Sequence, residues 1–397
     1  MSDRPHHDEA VSRDGRAHRG LFLTSLSFFF LFLCGLAQRS TGSAISSVFT
    51  SSQNATSSSS GKIPQEPGWY QIPNTKLAAV CPDYPDIQGN TGCAAVTAAW
   101  NGGIADTKRN RLVFGGGGHS DYFGNELYAL NLGEDPITVV RLFEPTRKPN
   151  VRECPDAYYD GNPSARHTYN GLAYLPDADR LFLFSGAKSI CGYGGNDTWT
   201  LDLETLKWKR QDPTVGGPIG GCDGCVAAYD PNTHRVLVEN NSALWSYDYS
   251  KNTYSRLNEN ASQDNHLTGV IDPTRQLFLE FGAGQLKVFN IAPRSKYAIQ
   301  AWDSQVKGCD ALVHAAYPGL AYDPVTDRVV GWAGGDSVYL FDPGKKSCTQ
   351  VTYPNGPGPQ QGNGTHGRFR YFPGLDVFAL VNDWKEDAFL LKLPGKN

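Results

Sequence analysis

GLAYLPDADRLFLFSG, residues 171–186, reads as one strand, a tight turn and a second strand. Pro176 brings a φ already suited to a β-turn, Asp177 and Asp179 are turn-forming carboxylates, and Leu181 to Phe184 is an apolar run that fits a pleated sheet. A glycine follows, and then DTWTLDL (197–203) supplies an aromatic, β-branched third strand. The same order returns as CVAAYDPNTHRVLVEN (225–240), TGVIDPTRQLFLEFGAG (268–284), GLAYDPVTDRVVGWAGG (319–335) and RFRYFPGLDVFALVND (368–383), and residues 94–118 form a sixth copy. Third strands recur with it as NELYALNL, ALWSYDY, GQLKVFNI, DSVYLFDP and DAFLLKL.

A spacing of roughly 45 to 75 residues is that of a four-stranded propeller blade with loops of uneven length. The last copy ends at Leu393, so it lacks an outermost strand, and GWYQIP (68–73) is the segment expected to close the ring. The fold class is therefore all-β: a β-propeller of six visible blades, or seven if residues 144–163 hide another. Composition agrees, with 43 glycines, 25 prolines, 12% aromatic residues and only 19% charged ones in 397 residues. Many short strands joined by tight turns produce that balance. The formal charge of -4 argues against nucleic acid as a partner, since phosphate recognition needs a basic surface.

The ends and the cysteines bear on location. Residues 1–20 are polar, 21–37 (LFLTSLSFFFLFLCGLA) form an apolar signal peptide or signal anchor, 38–65 are a Ser/Thr-rich linker, and 66–397 hold the propeller. Cleavage implies a secreted, extracellular protein; retention implies a single-pass type II membrane protein with the propeller outside and residues 21–37 as its membrane contact. Beyond Cys34, eight cysteines remain, an even count that favours disulfides, although Cys222-Asp-Gly-Cys225 has the spacing of half a zinc site or a redox pair. Sequons at Asn54, Asn196, Asn240, Asn260 and Asn363 fit a glycoprotein surface.

Paired glycines after the second strand (Gly117-Gly118, Gly334-Gly335) and the aromatics Tyr128, Trp199, Trp208, Trp245 and Tyr339 give residues 67–394 a resemblance to kelch and galactose-oxidase-like propellers. GGGGHSDYFGNELYAL (115–130) followed by PSARHTYNGLAY (163–174) resembles, more narrowly, the propeller polysaccharide lyases that cut ulvan and related uronate chains. That likeness implies a His, Tyr and Arg constellation acting by β-elimination on an acidic polysaccharide.

The histidines themselves are phased. His167, His266, His314 and His366 precede the proline of a first-strand turn by seven to ten residues, and His119 follows the second strand of its blade. All five are expected around one mouth of a central channel; His234 belongs to an opposite turn. Arg166, Tyr169, Arg368 and Tyr371 share these segments, and Tyr122 and Asn125 accompany His119. For β-elimination, Arg166 or Arg368, helped by Asn125, would neutralise the uronate carboxylate, His119 or His167 would be the base, and Tyr122 or Tyr169 the acid. His266, His314, His366, Arg368 and Tyr371 would bind substrate. The cofactor is open: three imidazoles of the ring could instead hold a divalent metal. A copper-radical oxidase is disfavoured because no Tyr-His dipeptide occurs, and Gly115 to Gly118 lacks the Lys-Ser/Thr of a phosphate loop. The rival from another class is a kelch module that binds glycan or protein without catalysis.

Overall fold

The computed structural model describes residues 63–259 and 266–395. Six antiparallel four-stranded sheets form, and their innermost strands are Gly103–Asp106, Leu172–Leu175, Val226–Asp230, Thr268–Asp272, Gly319–Asp323 and Phe369–Phe372. These strands, blades one to six in chain order, touch their neighbours in sequence, and blade six touches blade one, so the ring is closed. Each Pro- or Asp-rich turn reverses the chain between first and second strands, as at Asp230↔Arg235 and Asp323↔Arg328.

Closure comes from the other terminus. Gly68–Gln71 pairs antiparallel with Phe389–Lys392 and becomes the outermost strand of blade six. Trp69 anchors it, packing edge-on against Trp332 and Phe389 at 6.4 Å and donating its indole N–H to the Asp336 carbonyl at 3.2 Å. A side chain of that size, 5% exposed, contributes on the order of 3 kcal/mol by burial. Between blades the faces interlock: Phe114 and Leu112 of blade one meet Val377 and Leu390 of blade six, and Phe281 of blade four meets Phe341 of blade five at 5.3 Å.

Residues 144–163 make no seventh blade. They form a loop with one short turn, Val151–Glu153, and Cys154 ties it to Cys191 in the second-to-third-strand loop of blade two. Its polar, proline-broken sequence offers no alternating apolar face to bury in a sheet. The other disulfides join Cys81–Cys93, Cys222–Cys225 and Cys309–Cys348, so the CDGC segment is closed on itself and is neither a zinc half-site nor a free thiol pair. Asn240 is buried, with its amide on the Gly220 carbonyl, so that sequon has no room for a glycan, whereas Asn196 is exposed. Asn54, Asn260 and residues 21–37 lie outside the described residues; among the described ones no helix is long and apolar enough to cross a membrane.

Candidate functional site at the upper mouth

Every inner strand is entered from the same side, here the upper mouth, through a residue five places before the penultimate strand position. Counting back from Ala105, Tyr174, Tyr229, Ile271, Tyr322 and Tyr371 gives Trp100, Tyr169, Gly224, His266, Tyr317 and His366. The chain turns sharply here. Tyr169, Tyr317 and His366 take left-handed φ values of 45°, 49° and 48°, and blade three has glycine at φ 80°. Left-handed backbone costs a non-glycine residue roughly 1–2 kcal/mol, so something must hold it. Main-chain bonds do: the Tyr169 N–H donates to the Trp100 carbonyl at 2.8 Å, the Tyr317 N–H to that of His266 at 3.1 Å, and the His366 N–H to that of Tyr317 at 3.3 Å.

The side chains so placed meet over the axis. Tyr169 and Tyr317 come from blades two and five, which face each other across a ring of six, yet their rings lie 6.3 Å apart. His366 touches both, at 6.1 and 4.2 Å, and His266 stacks on Tyr317 at 5.2 Å. The mouth is thus floored by aromatic rings. From Tyr169 the row continues to His167 at 6.0 Å, then to His119 at 5.7 Å, with Trp100 against His167 at 5.1 Å.

His119 and His266 are exposed, whereas His167 and His366 are fully buried. His167 Nε2 shares a 2.9 Å hydrogen bond with Asp121, while its buried Nδ1 has no partner among the described residues. The bond from His167 holds Asp121 below the usual carboxylate range. Burial pushes the Asp223 carboxyl up against the opposing pull of His119 and His167. Burial, reinforced by the charges of Asp223 and Asp121, pushes the Tyr169 phenol well above its ordinary range, so it keeps its proton. His366 is held neutral, chiefly by burial and then by Arg368 beside it.

The remaining sequence candidates are placed differently. Arg166 is 2% exposed, bonded to Asp197 at 2.7 Å and to the carbonyls of Ser164, Ser185 and Asp156, so its guanidinium braces two loops and does not face solvent. Arg368 gives its donors to the carbonyls of Thr97, Asn101, Gly364, Val381 and Asn382, and burial pulls it down to about 9. Tyr122 is buried with its hydroxyl on Glu126 at 2.6 Å, and Asn125 binds Thr146 and the Pro163 carbonyl. Tyr371 sits at the far end of its strand, donating to Asp376 at 2.8 Å. His314 ends the short helix Asp310–His314, its Nδ1 on the Asp310 carbonyl, and among the described residues no ring contact ties it to the row.

Trp100, Tyr317, Asp121 and Asp223 belong to the mouth but do not stand out by residue type. A fixed offset from the strand end finds the first two; the acids come from loops of irregular length. Among the described residues no three His, Cys, Asp or Glu side chains are disposed to hold a metal ion. No family model and no curated protein sequence matches the chain. Among solved structures, it is similar to that of YjhT, at 12% identity and a TM-score of 0.49, over 76% of this chain and 97% of that one.

Proposed function

We propose that the chain is an extracytoplasmic carbohydrate-active protein whose upper mouth binds an acidic polysaccharide and cleaves it by β-elimination. The observation that carries this reading is the His119–His167–Tyr169 row with Asp121 bonded behind it. In that chemistry a base takes the C5 proton of a uronate, the C4–oxygen bond breaks as a C4=C5 double bond forms, and an acid protonates the departing oxygen. His119 is the exposed imidazole and takes the proton; Tyr169, a phenol that retains its hydrogen, gives one up. His167 is a positioning residue, oriented by Asp121. With Arg166 and Arg368 engaged by backbone and Asp197, the uronate charge would be met by the exposed His266 on the same rim. Four disulfides suit an oxidising, extracellular setting.

The test is incubation with a panel of uronate polysaccharides: unsaturated ends absorb at ~235 nm, and His119→Ala or Tyr169→Phe should lower the rate by roughly 10²–10⁴. One observation favours a second reading, a glycan-binding module: the part-exposed Trp100 ring lies at a mouth where both candidate arginines are withdrawn. Retardation of the protein by a polysaccharide gel, with no absorbance from any uronate, would decide for it.

A further inference from the structure

Below the aromatic floor lies the channel itself, about 350 Å³, lined by inner strands of all six blades and open at the lower mouth, where the first-to-second-strand turns gather. At the other end of the same strands the rings of Tyr169, Tyr317 and His366 meet one another and take no part in its lining. At one equivalent position its wall carries Ile104, Ala173, Ala228, Val270 and Ala321 in blades one to five, and Arg370 in blade six. A single cation thus breaks an otherwise small and apolar ring.

Arg370 is poorly satisfied. Its Nε donates to the Gly103 carbonyl at 3.3 Å and Nη1 to the Leu320 carbonyl at 3.2 Å, both long. Among the described residues no carboxylate pairs with it, and Nη2 has no hydrogen-bond acceptor. A side-chain carbon on Gly367 would stand 2.6 Å from Nη2, so the glycine leaves the guanidinium its space. Arg166, by contrast, has Asp197, and Arg368 is fully ringed by carbonyls. The guanidinium is only half-buried and reaches the open pocket without a counter-charge, which an anion entering there would supply.

We propose that the channel is a binding site for a small monocarboxylate with an apolar body, its carboxylate held by Arg370 and its body against the alanine-rich wall. One cation matches one negative charge, and the volume is that of a small-molecule pocket and too confined for a polymer. Burial lowers the guanidinium only to about 10, so it stays cationic at neutral pH. The lower rim carries Tyr174, Tyr229, Tyr322 and Tyr371, and the hydroxyls of the last three already donate to Asp177, Asp327 and Asp376. Their rings flank the opening, and the carboxylates behind them are occupied.

Titration calorimetry of the full chain with benzoate, and with benzamide as its uncharged counterpart, tests this site. Benzoate should bind at least tenfold tighter than benzamide; Arg370→Gln should abolish that preference, and Arg370→Lys should keep part of it. Ala228→Leu, which leaves the cation in place and fills the wall, should weaken both probes. Arg370→Gln should melt no lower than the parent, because it removes an uncompensated charge; if it fails to fold, Ala228→Leu decides. Equal binding of the two probes, no binding of either, or an unaltered benzoate affinity in Ala228→Leu would overturn the proposal. None of these variants touches the upper mouth, so the uronate assay reads independently.

Discussion

The two mouths are built from opposite ends of the same six strands, and they differ in how faithfully the repeat is kept. At the lower mouth tyrosine recurs in four blades, and Asp106, Asp230, Asp272 and Asp323 each accept a main-chain N–H from their own turn at 2.9–3.2 Å. Arg109 and Arg275 then reach across to Asp179 and Asp327 of the next blade. At the upper mouth the six equivalent positions hold Trp, Tyr, Gly, His, Tyr and His. Residues that serve the chain's own geometry face the same task in each blade and can be the same; residues that would serve a ligand, as proposed for the upper mouth, would face one molecule from six directions and would differ. The carboxylates show the same division. Arginine holds Asp179 and Asp327 down at the lower mouth, while burial pushes Glu126, Glu280 and Asp223 up at the other end.

The largest expected effect separates scaffold residues from the proposed ligand-facing ones within the upper end itself. Arg166→Met leaves Asp197 charged and buried, and losing one partner of such a pair costs about 3–5 kcal/mol. Thermal melting should show this as a large drop in stability. A variant that melts like the parent but has lost substrate binding would put Arg166 back in the site and break the comparison.

That pair also marks what the sequence could and could not convey. Strand alternation, turn prolines and the orphaned closing strand Gly68–Gln71 were all readable, because each is local or follows from counting strands. The convergence of His119, His167, His266 and His366 followed from the symmetry of the ring. Whether an arginine beside them faces solvent did not, since it depends on carbonyls of Thr97, Val381 or Asp156 brought from distant loops. Offsets of seven to ten residues also blurred the phase: the exact ring position is seven before the turn proline, which picks Tyr169 and Tyr317 over His167 and His314.

Next in size is the dependence of stability on pH, with opposite signs at the two ends. Glu280 is fully buried, neither carboxylate oxygen has a partner among the described residues, and burial together with Glu239 pushes its pKa well up. A raised folded pKa stabilises below the unfolded value near 4.5 and loses that contribution as pH rises. Glu280→Gln should therefore raise stability at pH 8, by about 1–3 kcal/mol if the desolvation cost of one unpaired polar group is the guide, and change little at pH 4. Asp327 runs the other way. Arg275 lowers it to about 2, so its contribution is present above the unfolded value of 3.8 and disappears as pH falls toward 2. Arg275→Ala should flatten that acid limb and cost about 1 kcal/mol at pH 7, as partly exposed pairs do. Urea denaturation of both variants across pH 2.5–8.5 would expose a merged or reversed pair of limbs.

The smallest effect on stability belongs to His119, the residue proposed as the base. His119 is exposed, its backbone sits at φ 44°, and its ring rests against Gly192, where a side-chain carbon would come within 2.3 Å of Nε2. Little apolar surface is lost on truncation, and the left-handed backbone is as strained with alanine as with histidine. His119→Ala should accordingly change unfolding free energy by no more than about 0.5 kcal/mol. A larger loss would mean that the imidazole holds the loop together, making it part of the scaffold like Arg166. A loss within that range, alongside the lost β-elimination signal, would place the boundary between what holds the upper mouth and what it holds between His167, which is buried on Asp121, and the ring 5.7 Å away that faces solvent.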